Sequence, residues 1–150
     1  MTVILMVEDD FDIFQTTKLG MPEYTVLHAE SLTRALSMLK TVKVDALLLD
    51  LNLPDSHGTH TMEIMQAEHP EIPSIVYSGY VNGEFTEIEI IRLGAQSVVR
   101  KGHLDIESLK WEIHTSIIRH EVRGEWTRFE QLKANLDDSM ATLKKEIGVP

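Results

Sequence analysis

Short apolar runs alternate along the chain with segments of helical period. Val3–Val7 and Ala46–Leu49 are continuous apolar runs, too short for helices and read as buried strands. Tyr24–His28, Ser74–Tyr77 and Ser97–Val99 are β-rich runs. A helical pattern over Phe11–Leu19 closes at Gly20 and Pro22. Ser31 caps a helix over Leu32–Leu39, where Leu32, Leu36 and Leu39 share a face. Thr59–Glu68 is helical in pattern and stops at Pro70, and Phe85–Leu93 is helical with Gly94 as its cap. Asp105 caps a long helix carrying Leu109, Ile113 and Ile117 on one stripe. Five strands, each followed by a helix, predict an α/β domain: a doubly wound parallel sheet with helices on both faces. Apolar strands are what a sheet covered on both faces requires, and right-handed crossovers leave few topologies.

The C-terminal stretch is surplus to that plan. Gly124 interrupts the last helical pattern. Beyond it, apolar residues from Trp126 and Phe129 through Leu136 to Ile147 recur at steps of three or four, ending at Gly148 and Pro150. This is one apolar stripe on a helix, without a strict heptad. It must cover its own domain or a partner chain. The expected organisation is therefore a domain over residues 1–121 and a helical extension over 122–150, serving as linker, cap or dimerisation helix.

Composition narrows the function. The chain has 150 residues, 43% of them hydrophobic and 25% charged, which suits one globular domain. Lys plus Arg number 14 against 24 Asp plus Glu, for a net charge of −10. That argues against a nucleic-acid-binding surface, which needs a basic face. There are no cysteines, so disulfides, thiol catalysis and Cys-based zinc sites are excluded. "MTVILMV" runs directly into Glu8-Asp9-Asp10 without a basic leader, unlike a signal peptide. No apolar run reaches the roughly 18 residues that span a membrane. A cytoplasmic protein is expected.

The strand ends carry the candidate chemistry. In "LLLDLNLPD", Leu47 to Asp55, a fully apolar strand ends in a carboxylate, which is costly unless something neutralises or uses it. Open parallel α/β sheets build their sites outside the carboxyl ends of the strands. There the first strand delivers Glu8 and Asp9, the third Asp50 with Asn52 behind it, the fourth Ser78 and the fifth Lys101. Three converging carboxylates repel one another unless a cation joins them. Oxygen donors without His or Cys favour a hard divalent ion, Mg²⁺ above all. Lys101 suits a phosphate oxygen, and Ser78 offers a hydroxyl donor. A carboxylate nucleophile with a metal, a lysine and a hydroxyl makes a phosphoryl-transfer site. Each part alone has a plainer reading: an acidic pair after a strand is commonly a solvated turn, a lysine there surface, and Ser-Gly a turn. One contribution from each of four strand ends outweighs those readings.

The segments "ILMVEDD", "ALLLDLNLPDSHG", "IPSIVYSG" and "GAQSVVRKG" resemble the signature segments of response-regulator receiver domains of two-component signalling, in the family's order and spacing. The resemblance covers about residues 1–121. It implies a flavodoxin-like sheet of strand order 2-1-3-4-5. It implies Asp50 as phosphoacceptor, and Glu8 and Asp9 as the acidic pair that helps hold Mg²⁺, with Asp9 the more direct ligand. Asn52 stands where the family gives a main-chain carbonyl to the metal. Ser78 takes the position of the family's hydroxyl, and Lys101 that of the lysine contacting the phosphoryl group. The implied donor is a histidine kinase or histidine phosphotransfer protein. The implied readout is the face of helix four, strand five and helix five, and self-association is expected through that face or the C-terminal helix.

The chain departs from the family's pattern at two positions. Val98 stands where an aromatic residue often acts as a switch, and Gly102 stands where proline usually follows the lysine. Tyr80, two residues after Ser78, falls where such domains tune phosphoryl lifetime. Two other functions compete: a pseudo-receiver that only binds proteins, and a phosphatase with an aspartyl nucleophile. The intact acidic set, Ser78 and Lys101 weigh against the first. Asn52, where such phosphatases carry a second aspartate, weighs against the second. "HEVR", from His120, resembles a histidine-kinase phosphoacceptor box but lacks its proline and reads as a seam histidine. His57 and His60 follow Asp50 and read as exposed; no pair has zinc spacing.

Overall fold

The computed structural model describes residues 1–79, 86–102 and 105–148. The expectations for Tyr80, Phe85 and Pro150 lie outside them. Five strands form one parallel sheet: β1 (Val3–Val7), β2 (Thr25–Ala29), β3 (Ala46–Leu49), β4 (Ser74–Ser78) and β5 (Ser97–Arg100). Their order is β2-β1-β3-β4-β5, so the chain winds one way from β1 to β2 and the other way from β3 onward. The helices are α1 (Phe11–Leu19), α2 (Leu32–Leu39), α3 (Thr59–Glu68), α4 (Glu87–Arg92) and α5 (Ile106–Glu146). The doubly wound α/β fold is the one expected, with a C-terminal helix.

Strand alternation separates two cores. Leu5, Val7, Leu47, Leu49 and Val76 pack with α2, α3 and α4 through Ala35, Met62, Met65 and Ile90. Ile4, Met6, Leu48 and Ile75 pack with Phe14 of α1 and with Leu109 and Ile113 of α5. The strands read as unbroken apolar runs because successive side chains serve opposite, equally buried faces.

Helix ends follow local chemistry. Asp10 accepts from the Asp12 and Ile13 amides and starts α1. Thr86 and Glu89 form a reciprocal capping box, which fixes the start of α4 at Glu87. Asp105 accepts from the Ser108 amide and opens α5. Gly124 does not break α5: the helix runs through it, because one glycine costs a helix only about 1 kcal/mol.

The chain divides into two units, Met1–Ile117 and Ile118–Pro150. In the second, every residue from 121 to 148 is exposed, including Phe129, Leu132 and Leu136.

One long-range clamp holds the loop after β3. Asp55 accepts from the Leu32 amide at 2.9 Å, the Thr33 amide at 2.8 Å and the Thr33 hydroxyl at 2.6 Å. Ser31 takes the Arg34 amide at 3.0 Å, so the first three donors of α2 are all satisfied. The loop that follows Asp50 is thus pinned to a helix 22 residues upstream. Asp55→Ala is expected to cost about 1–2 kcal/mol by urea unfolding, the value of a lost cap with its charge-assisted bonds. A variant as stable as the parent would show that the clamp carries no stability.

Candidate functional site

Strand register brings the acidic residues together. Val7 pairs with Leu49, so the next residues, Glu8 and Asp50, stand side by side at the sheet's carboxyl edge. The ladder continues one step past the strands: Glu8 donates its amide to Ala29, Asp50 to Val7, and Lys101 to the carbonyl of Ser78. These main-chain bonds fix where the side chains start. β5 lies beside β4, which puts Lys101 next to Ser78 and within reach of Asp50.

Asp50 is buried, and each oxygen has its own partners. Oδ1 accepts from the Ser78 hydroxyl at 3.0 Å and from the Asn52 amide at 3.1 Å. Oδ2 accepts from Lys101 Nζ at 2.9 Å. Lys101 also donates to Oε1 of Glu8 and is itself only 19% exposed. Glu8 is 1% exposed, and its Oε2 is buried without a hydrogen-bond partner. Asp9 is exposed. Among the described residues, Glu8, Asp9 and Asp50 offer carboxylate oxygens that all lie within 4.8 Å of one another.

The titrations follow from this packing. Burial, followed by the neighbouring Asp50 carboxylate, pushes Glu8 up to about 8 despite Lys101. Burial also works upward on Asp50, but its bonds to Glu8 and Lys101 and the lysine's charge outweigh it and lower the pKa. For Lys101, burial works downward and is outweighed by Glu8 and Asp50, so its pKa rises. At neutral pH the site thus keeps an ionised Asp50 and a charged lysine, while Glu8 holds a proton.

These residues fit a hard divalent cation. The donors are oxygens, and one of them, Glu8 Oε2, is buried and unpaired, which is costly as it stands. With all three carboxylates ionised, one lysine leaves two negative charges, which Mg²⁺ would balance.

Two further residues at the edge, His28 and Tyr77, were not singled out by sequence reasoning. His28 Nε2 lies 2.6 Å from the Glu8 carbonyl, and its ring stacks on Phe14 at 4.2 Å. Its position near the carboxyl end of β2, beside β1, was the available signal. Tyr77 sits with its ring 5.9 Å from Lys101 Nζ. Asn52–Leu53 and Ser56–His57 form a small antiparallel ribbon, and His57 Nδ1 lies 3.0 Å from the Asn52 side-chain oxygen. His57 and His60 are exposed, and His120 is half-buried. Val98 faces the α2–α3–α4 core and is half-buried. Gly102 has φ +79°, which proline cannot adopt, so the turn after Lys101 is built for glycine.

The model of the response regulator receiver domain matches residues 4–113. The response regulator protein PilR of Pseudomonas aeruginosa is 24% identical over 146 residues, covering 96% of this chain and 32% of that protein. The transcriptional regulatory protein KdpE of Staphylococcus aureus is 34% identical over 100 residues, covering 65% of this chain and 42% of that protein. The chain therefore spans less than half the length of either relative. Among solved structures, a CheY-like response regulator receiver domain protein from Methanospirillum hungatei superposes with a TM-score of 0.73 at 25% identity, covering 82% of this chain and 98% of that one.

Proposed function

The chain belongs to the response regulator receiver domains of two-component systems, which are signalling domains rather than classical enzymes, and on that premise we propose that it takes a phosphoryl group onto Asp50 from a phosphohistidine partner. The observation that carries this reading is the buried Asp50 carboxylate held by Ser78, Lys101 and the Asn52 amide. Asp9, Asp50 and the Asn52 carbonyl would hold Mg²⁺, with Glu8 beside them. When bound, the ion supplies positive charge to the phosphoryl oxygens.

An Asp50 oxygen forms the new P–O bond as the P–N bond to the donor imidazole breaks. The electron pair stays on the imidazole nitrogen, so a donor ring protonated on its other nitrogen leaves as neutral imidazole and keeps that proton. Lys101 and the Ser78 hydroxyl would meet the charged phosphoryl oxygens. The phosphatase reading has no support in the site, because the Asn52 side chain is engaged with His57 and offers no acid. A histidine kinase or a histidine phosphotransfer protein is the proposed donor.

Readout is proposed on the face of α4, β5 and the first turns of α5. Arg100, next to Lys101, pairs with Glu87 at the start of α4 at 3.4 Å. This links the site to α4 without an aromatic residue at Val98. Self-association is proposed through that face or through the C-terminal helix. No described helix is long and apolar enough to cross a membrane.

The test is intact mass after incubation with a small acyl phosphate, with and without Mg²⁺. One phosphoryl adduct that requires Mg²⁺ is expected. A chain that acquires none under conditions that load another receiver domain would leave the pseudo-receiver reading.

A further inference from the structure

We propose that residues 118–140 of α5 form an antiparallel helix pair with a second copy of this chain, centred on Phe129. This inference is independent of the phosphoacceptor chemistry.

Nine large apolar side chains between Ile118 and Ile147 are 44–67% exposed. At 3.6 residues per turn they all fall within about 60° of one line along the helix, a stripe about 44 Å long. Their mean spacing is close to the natural helical period, so the stripe stays on one side without supercoiling. An exposed apolar stripe of this length is an association surface.

The charges inside the stripe choose the orientation. Within about 40° of the line, two positions are charged, Glu125 and Lys133. They flank Phe129 symmetrically, four residues before it and four after it. In a parallel pair in register, Glu125 stands level with Glu125 of the other copy, and Lys133 with Lys133. Both levels then oppose like charges, which disfavours pairing. Sliding a parallel pair to match them leaves each copy with an unmet end, an arrangement that does not close on two chains.

An antiparallel pair centred on Phe129 removes the conflict. Glu125 stands level with the partner's Lys133, and Lys133 with the partner's Glu125. The apolar positions also match: Val122 comes level with Leu136, Trp126 with Leu132, and Ile118 with Met140. The pair has two-fold symmetry and is closed. A Glu or Lys within an apolar stripe costs burial energy by itself, and pairing across the axis offsets that cost.

Two experiments on the full chain test this. The first is sedimentation equilibrium of charge variants. Glu125→Lys or Lys133→Glu alone places like charges at both levels, and each is expected to weaken the dimer about tenfold or more. The double variant E125K/K133E restores complementarity and is expected to return close to the parent. In a parallel pair the double swap would rescue nothing.

The second experiment uses the absence of native cysteines. Ile118→Cys and Met140→Cys chains are mixed and oxidised mildly. A disulfide joining the two different variants is expected, with little linkage in either variant alone, because facing Cα atoms in a helix pair fall within disulfide reach. Linkage within the I118C sample alone would establish a parallel pair and overturn the proposal. A full chain that stays monomeric at tens of micromolar would overturn it as well. Circular dichroism of each variant confirms that the helix is intact.

Discussion

An Asp50→Asn chain is expected to acquire no phosphoryl group from an acyl phosphate, at any Mg²⁺ concentration that loads the parent. The amide keeps the shape of the carboxylate and can still accept from Ser78 and the Asn52 amide. It lacks the negative oxygen that attacks phosphorus. No neighbour replaces it: one oxygen of Glu8 is held by Lys101, and that side chain is 1% exposed. Asp9 is ionisable but exposed, and Asp50, not Asp9, receives the Ser78 and Lys101 bonds. Intact mass of both chains after the same incubation decides the matter. An adduct of equal yield on the variant would place the acceptor elsewhere and remove the central claim. The expected effect is all-or-none, because the substitution removes the proposed nucleophile and not one of its supports.

Much of this site was legible because the fold does the gathering. Once short apolar runs alternate with helical segments, a parallel sheet follows, and its carboxyl edge is where strand-terminal residues meet. Glu8, Asp50, Ser78 and Lys101 are each one step from an apolar run, so pattern alone placed them within reach of one another. What pattern could not reach depends on long-range contacts. Asp55 capping α2 joins residues more than twenty apart, and the local sequence reads only as a turn. His28 stacked on Phe14 depends on α1 packing against the side of the sheet where β2 lies. The burial of Glu8 and the exposure of Asp9 could not be separated by two adjacent acidic letters. Gly124 read as a break because glycine lowers helix propensity, but the long helix on either side absorbs that cost.

The two buried carboxyls divide their work through their surroundings. Lys101 touches both, yet for Asp50 its bonds to Glu8 and Lys101 and the lysine's charge outweigh burial, while for Glu8 burial and the neighbouring Asp50 outweigh the lysine. The same lysine therefore leaves one acid ionised and the other protonated. The site can hold Asp50 charged without also carrying the full repulsion of a second buried anion.

That division predicts a pH-dependent stability that Glu8→Gln removes. The folded pKa of Glu8, about 8, lies well above its ordinary value of 4.5. Between these two values the unfolded chain has released the proton that the folded chain still holds. The folded state thus binds more protons, and unfolding free energy falls as pH rises across that window. The slope is at most about 1.4 kcal/mol per pH unit, and the total reaches a few kcal/mol. Above the folded pKa the loss is complete and the curve is flat. Glutamine keeps an acceptor for Lys101 and never ionises. Without Mg²⁺, the E8Q chain is expected to match the parent near pH 5 and to exceed it by a few kcal/mol near pH 8.5. Asp50 contributes nothing to this window, because its lowered pKa titrates below it. Urea unfolding with a chelator present, at three or four pH values, measures the difference. Parallel curves for the two chains would show that Glu8 is ionised throughout and that the buried site carries its charge by another route. Saturating Mg²⁺ is expected to flatten the parent's curve, since the ion binds the ionised carboxylate and displaces the proton in the folded state.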